Sequence, residues 1–332
     1  MKYIYLDTNI IKRYIDFYIC NKEEIVDLVG IINLLSNDNS VKLIYSPAHI
    51  EEIAVIQRKA KKSKLYINRN LKIISKITNN CEFKPSSDNI KVSKEHPIHC
   101  YQRVIKDYEK TTLVAENNEK EKIKKWKSID IEITLDSIEA EKLFFEDKVR
   151  IRYLDFLKNK IDESQEFINK LNTSFIPVQK SINDKIFPMD YNTIKQKIEY
   201  HTMINIELEK ILNTKIIPSY AKLKNNFQLL EAIFEITFDF LDAIGYYNDA
   251  RAIKKEKYRS RMHDISHSIY GTSSHYFITN DKKFTKKLIA IYSLFEISTK
   301  VLNEKEFIST PCIIPNITNK EAFFSHFCII PL

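Results

Sequence analysis

One pattern stands at both ends of this chain. A short apolar run of strand type breaks into an acid and then into a segment of helical period. Lys2-Tyr3-Ile4-Tyr5-Leu6 runs into Asp7-Thr8-Asn9 and then Ile10-Ile11-Lys12-Arg13-Tyr14-Ile15. Far downstream, His275-Tyr276-Phe277-Ile278-Thr279-Asn280-Asp281 runs into Lys282-Lys283-Phe284 and on through Leu288 and Ala290. Each copy predicts a strand that delivers a carboxylate from its C-terminal end into the start of a helix. Two more strands are expected at 41–45 and 297–302, both short and rich in β-branched or aromatic residues. Helical segments separate neighbouring strands, which indicates parallel βαβ units. In open α/β sheets, ligands bind beyond the carboxyl ends of the strands.

Composition narrows the classes of function. Hydrophobic residues make up 44% and charged residues 29% of the 332, which is globular rather than disordered. The apolar runs are too short to span a bilayer, and the first residues read as a strand rather than a signal peptide, so we expect a cytoplasmic protein with no membrane contact. The five cysteines are scattered without a C-x-x-C pair, which offers neither a zinc site nor a disulfide framework. Only Gly30, Gly245 and Gly271 occur, which excludes glycine-rich phosphate loops. The net charge of +8 is modest, and its distribution says more than its sum.

The middle of the chain differs from its ends. Between about 55 and 225 there is no glycine, charge is dense, and helix-period patterns recur. Pro85, Pro97, Pro177, Pro188 and Pro218 punctuate it, and helices usually stop before such residues. We therefore expect an α/β domain formed by 1–58 and 227–305, interrupted by a mostly helical insertion over 59–226. A tail over 306–332 is expected to pack on the body. The apolar segment 227–244, ended by Gly245, is expected to be a core helix against the sheet.

Two further segments bring acids to the same edge. In Ser46-Pro47-Ala48-His49-Ile50-Glu51-Glu52-Ile53, Ser46 is a good cap and Pro47 suits a first helical position. Glu51 and Glu52 are about 100° apart on that helix, so one of them at most faces a given site, Glu52 or Glu51, and their spacing does not choose between them. The bland alternative is that acids near a helix start complement its dipole. In the second segment, Asp264, His267 and Ser268 share a helix face. Asp281 by itself also reads as a helix cap. Gathered together, Asp7, Glu52, Asp264 and Asp281 repel one another and raise one another's pKa values. A hard cation such as Mg²⁺ or Mn²⁺ relieves that, and oxygen-only ligands suit it better than zinc. His49 and His267 read first as hydrogen-bonded structural residues, with His267 also a neighbour of the site.

Basic stretches flank these acids. Residues 58–76 hold eight bases and no acid, with Tyr66 among them, and 251–261 hold six bases and one acid. Arg58, Lys61, Lys62, Arg259, Arg261 and Lys282 are the candidates for holding a phosphate backbone. The competing reading of each stretch is a solvated helix face.

Asp7-Thr8-Asn9 after the first strand, Glu52-Ile53, Asp264 seventeen residues before Asp281, and Phe277-Ile278-Thr279-Asn280-Asp281 together resemble the PIN domain nucleases. The resemblance covers roughly 1–58 and 227–305, and the insertion departs from the compact form of that family. It implies an α/β, PIN-like three-layer fold with a central parallel sheet flanked by helices. It implies a Mg²⁺- or Mn²⁺-dependent endoribonuclease that cleaves single-stranded RNA, while the residues themselves leave single-stranded or flap DNA open as the substrate. Asp7 and Asp281 would be the main metal ligands and Glu52 and Asp264 would complete the set. Asn9 and Thr279 would position carboxylates and waters, and His267 would lie alongside. Two other readings stand beside it. Arg261 and His267 are spaced like the Arg/His motif of certain all-helical, metal-independent ribonucleases. A PIN-like module that binds RNA or a protein partner through the insertion, without cutting, is the other.

Overall fold

The computed structural model describes residues 1–20, 25–60, 64–86, 88–105, 147–178, 191–247 and 255–310. The chain opens with β1 (Lys2–Leu6), α1 (Thr8–Cys20), α2 (Val26–Asn37), β2 (Val41–Ile44), α3 (Pro47–Ala60) and α4 (Lys64–Thr78). A hairpin of β3 (Cys81–Pro85) and β4 (Ile90–Lys94) follows, then a helical stretch over 97–105 and the long helices α5 (Asp147–Val178) and α6 (Tyr191–Thr214). The last part holds α7 (Tyr220–Leu223), α8 (Phe227–Ala243), α9 (Lys255–Gly271), β5 (Tyr276–Ile278), α10 (Lys282–Leu294), β6 (Lys300–Leu302) and α11 (Glu304–Ser309).

β2, β1, β5 and β6 form a four-stranded sheet in that order, and every pair is parallel. The period of two along each strand builds two faces. Ile4, Leu6, Leu43, Tyr276 and Ile278 pack with Ile10 and Tyr14 of α1, Leu28 and Ile32 of α2, and Leu71 and Ile74 of α4. Tyr5, Ile44 and Phe277 point the other way, into Phe234, Phe238 and Leu241 of α8 and Leu288 and Ile291 of α10. Helices thus cover both faces of a parallel sheet, as buried parallel strands require. α8 starts where the Asn226 side chain accepts the Leu229 N–H at 3.0 Å and stops at Gly245, whose φ of 73° ends the helix.

The connections leave a crevice. The chain moves from β1 outward to β2, then returns to the opposite side of β1 to lay down β5 and β6. The order therefore reverses between β1 and β5, the place where open sheets of this kind bind ligands.

The middle of the chain differs from the expected helical insertion in one respect. The hairpin β3–β4 lies within it, paired in antiparallel register from Cys81↔Lys94 to Pro85↔Ile90. Pro85 closes a strand there rather than a helix. The hairpin extends the pairing of β2, because the Tyr45 N–H donates to the Cys81 carbonyl at 3.1 Å and the Phe83 N–H to the Tyr45 carbonyl at 2.8 Å. Phe83 also packs its ring on Tyr3 and Tyr5. With α4 in the same core as the sheet, the α/β body runs past residue 58 to about 105.

The helices α5 and α6 join the other core. Tyr153, Phe156, Leu157, Ile204 and Leu208 cluster with Phe234 and Phe238 of α8, and the Tyr153 hydroxyl lies 3.0 Å from Thr237 Oγ1. Residues 106–146, 179–190 and 311–332, which include parts of the expected insertion and most of the expected tail, lie outside the described residues. Among the described residues no helix is long and apolar enough to cross a membrane.

Candidate active site

β1 ends in a carboxylate held at three points. The Asp7 N–H still donates to the Ile278 carbonyl of β5 at 2.9 Å, and the Asp7 carbonyl accepts the Ile10 and Ile11 N–H groups that begin α1. Its Oδ1 accepts the Thr8 N–H at 2.7 Å, while Oδ2 accepts Asn9 Nδ2 at 2.5 Å and the Thr279 hydroxyl at 2.6 Å. The Asn9 side chain also accepts the Asn280 N–H at 3.2 Å. Asn9 and Thr279 thus tie the end of β1 to the end of β5 and fix the Asp7 rotamer. Burial pushes the Asp7 carboxyl up and the Glu52 charge adds to it, while His267, Thr279 and Thr8 favour the ionised form.

The other acids arrive from three elements. Asp281 caps α10, with Oδ1 accepting the Lys283 and Phe284 N–H groups, each at 2.9 Å. The cap role foreseen as the bland alternative is therefore what its carboxylate performs in this geometry. Asp264 comes from the middle of α9. Its carboxyl is pushed well above the usual carboxylate range, first by burial and then by the charges of Asp7 and Asp281. Glu52 comes from the second turn of α3 and lies 3.1 Å from His267 Nε2. Burial would raise the Glu52 carboxyl, but the hydrogen bond and charge of His267, helped by His263 and His49, bring it down to about 2.

A buried polar chain stands behind this pair. His267 is 1% exposed. Its Nδ1 lies 2.7 Å from the Tyr5 hydroxyl, which lies 2.6 Å from Ser46 Oγ, and its Nε2 is also 3.2 Å from Thr8 Oγ1. Burial disfavours charge on His267, yet Glu52, Asp7 and Asp264 together raise its pKa. A charged His267 donates from both nitrogens, Nε2 to Glu52 and Nδ1 to Tyr5, and the Tyr5 hydroxyl then donates to Ser46. His49 has the structural role expected of it. Its Nδ1 accepts the Ser46 N–H at 3.0 Å, so Nε2 carries the proton that goes to the Leu6 carbonyl at 2.7 Å. Burial, with the His267 charge, lowers its pKa to about 3.

Asp7, Glu52, Asp264 and Asp281 therefore share one edge and sense one another electrostatically. Glu51 lies 3.9 Å from His263 Nδ1, and burial raises its carboxyl to about 7, with His267 opposing the rise and the Glu52 charge adding to it. The donor set is all oxygen and suits a hard divalent cation, and the Asp7 carboxylate accepts three hydrogen bonds while offering about four lone-pair positions. The spacing is looser: among the described residues no three His, Cys, Asp or Glu side chains are grouped closely enough to hold a metal ion.

The expected phosphate-binding bases are placed less favourably. Arg261 turns inward, bonded to Asp239 and, at 2.8 Å, to Asp242, in an ion-pair network that also holds Lys160 and Lys287. Its guanidinium is occupied and does not face the acids. It also has different partners from His267, which separates the two members of the Arg/His motif. Lys282 is exposed beside Asp281. Lys61 and Lys62, and the side chains of Arg58 and Arg259, lie outside the described residues.

Four residues of this edge escape the sequence reading. Tyr5, Ser46 and Thr8 build the chain around His267, and nothing in their spacing signals it. Glu304, just past β6, accepts Asn280 Nδ2 at 2.7 Å and pairs with Arg13 at 2.9 Å. Its signal was the capping box of Asn303 and Glu306, which marks a helix start after a strand. No family model, no curated protein and no solved structure matches this chain.

Proposed function

We propose that this protein is a PIN-like, divalent-cation-dependent endoribonuclease whose centre is the acidic carboxyl edge of the sheet. One observation carries the reading: four carboxylates from four separate segments gather at the strand-order reversal, and Asp264 is held there against its own ionisation. A buried Asp7 beside an Asp264 that its surroundings keep from ionising is a cost to the fold that a catalytic role explains. The chemistry a Mg²⁺ or Mn²⁺ ion supplies in such a site is neutralisation of the carboxylates and activation of water against a phosphodiester. The chain's own residues do the rest. Asn9, Thr8 and Thr279 orient Asp7, and the Thr279 hydroxyl at 3.2 Å from the Asp281 N–H links the two ends of the edge. His267 holds Glu52 ionised and in place. Lys282 stands where a phosphate backbone would approach Asp281.

The test is cleavage of an end-labelled single-stranded RNA with Mg²⁺ or Mn²⁺, in the parent protein and in Asp264→Asn. Metal-dependent cutting that Asp264→Asn removes, together with a Mn²⁺-induced rise in melting temperature that the same variant loses, supports the reading. Full activity in excess EDTA overturns it. A second reading, a PIN-like module that binds RNA or protein without cutting, is favoured by the closed hydrogen bonds of Asp7 and Glu52 and by the absence of a converged ligand group among the described residues. Tight RNA binding with no metal-stimulated cleavage selects it.

A further inference from the structure

We infer that the opposite, amino-terminal edge of the sheet is a binding site for a small phosphorylated ligand of nucleotide size. A cavity of about 610 Å³ opens there, within the size range of small-molecule sites. It lies where β1, β5 and β6 begin, between α7 and the turn of the hairpin β3–β4. Lys2, Lys224 and Lys300 line it, and among the described residues that line it there is no acid. Lys224 and Lys300 are exposed to it from two different elements, the end of α7 and the start of β6. The ammonium groups of Lys224 and Lys300 each have three donors and no acceptor, so this wall asks for an anion with several oxygens.

The uncharged groups point the same way. His275 Nδ1 accepts the Tyr3 N–H at 3.1 Å, so its neutral ring carries the proton on Nε2 and offers a donor. Thr272 donates to the Tyr220 hydroxyl at 3.0 Å, and Tyr220 lies 3.3 Å from Ser273 Oγ, which forms a row of hydroxyls along the wall. Tyr220, partly packed on the core, is a lining residue that brings an aromatic ring beside which a base could pack. A simpler origin for the lysines would be the negative end of α9, which terminates here. That end is already satisfied: the Gly271 carbonyl accepts the Ser274 hydroxyl at 2.8 Å and the Thr299 hydroxyl at 3.1 Å. Lys2 and Lys300 also belong to strand starts, where no helix dipole needs them.

The site stands apart from the acidic edge, so its test does not depend on RNA cleavage. The full chain is titrated calorimetrically with AMP, with inorganic phosphate and with adenosine. AMP is expected to bind saturably, phosphate to compete with it, and adenosine to bind at least about tenfold more weakly, on the scale of one charge-assisted hydrogen bond. Lys300→Glu and Lys224→Glu, both at exposed positions, should each weaken AMP by about tenfold or more while the melting temperature stays put. Asp264→Asn should leave AMP affinity unchanged. Absence of saturable AMP and phosphate binding overturns the inference, and so do equal affinities for AMP and adenosine. Affinity that survives both lysine reversals, or that Asp264→Asn abolishes, places the ligand elsewhere and overturns it as well.

Discussion

At the carboxyl edge of the sheet Asp7, Glu52, Asp264 and Asp281 lie within electrostatic reach of one another, while at the amino edge Lys2, Lys224 and Lys300 open onto a cavity. Part of this sorting follows from parallel βα geometry alone. Every strand hands its carboxyl end to a helix start, where N–H groups and the dipole favour acids, and receives its amino end from a helix stop, where bases are favoured. Asp7 and Asp281 fit that account, since their oxygens accept N–H groups of α1 and α10. Asp264 does not. It sits in the middle of α9, where the dipole offers nothing, and burial and repulsion hold its carboxyl high. Lys2 and Lys300 likewise open strands rather than close helices. What exceeds the dipole at each edge is what we assign to function.

The comparison breaks most sharply at the acids. Asp7→Asn should lower cleavage by roughly 10²–10³-fold, the scale on which one electrostatic element of an active site is felt. The amide cannot accept from Thr8, Asn9 and Thr279 at once, so stability should fall slightly. Asp264→Asn should match it in activity but move stability the other way. The amide has no proton to lose and never takes on the charge that its neighbours oppose, so the metal-free protein should melt higher toward alkaline pH. Cleavage assays with paired melting curves separate the two variants, and an Asp264→Asn that melts lower would mean the repulsion is misread.

One residue serves both edges. α9 carries Asp264 and His267 at the acidic edge and ends at Gly271 beside the cavity. A Cβ on Gly271 would fall within the Phe277 ring and against the Tyr292 hydroxyl, both buried in the core. Gly271→Ala should therefore cost about 3 kcal/mol of stability through overpacking. AMP affinity and RNA cleavage should decline together in this variant alone, which melting, titration and cleavage data can show.

How much of this was legible depended on distance along the chain. The two strand–acid–helix segments were legible because each signal is local, and the parallel sheet between them follows from short strands separated by helices. β3 and β4 were not, since Cys81-Glu82-Phe83 and Ile90-Lys91-Val92 are brief alternations inside a charge-dense stretch that also carries helix-period patterns. Arg261 was assigned to phosphate because a charge run counts only neighbours. Its partners Asp239 and Asp242 sit one helix earlier, on α8. Glu51 and Glu52 were inseparable by sequence, and it took the position of His267 on another helix to distinguish them. The lysines of the amino edge come from three distant strand and helix ends, so no window of sequence contains them.

Acidity offers a smaller and broader handle. Glu51 is raised from 4.5 to about 7, Asp7 and Asp264 are raised, and His267 is raised above 6.5. Each group binds protons more tightly when folded, so each contributes stability that is lost as pH rises through its folded value. His49 runs the other way: lowered from 6.5 to about 3, it costs stability as pH falls below 6.5. Above 6.5 His49 is neutral in both states and drops out, leaving only the raised groups. The melting temperature in EDTA should therefore fall from pH 6.5 upward, and Glu51→Gln should flatten that fall by about 1 kcal/mol once solvent screening is allowed for. Mg²⁺ should restore stability most at the alkaline end, where the carboxylates are ionised. A melting temperature that rises with pH above neutrality would contradict the crowding of the acidic edge.

Asn9→Ala is the gentlest probe. It removes the 2.5 Å hydrogen bond to Asp7 Oδ2 and the 3.2 Å tie to the Asn280 N–H. Asp7 keeps the Thr279 hydroxyl and the Thr8 N–H, so its carboxylate stays at the edge but loses one of the contacts that fix its rotamer. Cleavage should fall about tenfold, as when a group that orients a ligand is removed. Added Mn²⁺ should recover part of that loss, because a weakened site is refilled by mass action, whereas Asp7→Asn should not be rescued. AMP affinity at the amino edge should stay the same in Asn9→Ala. A change there would join the two edges through β1 and undo the separation on which the contrast between them is built.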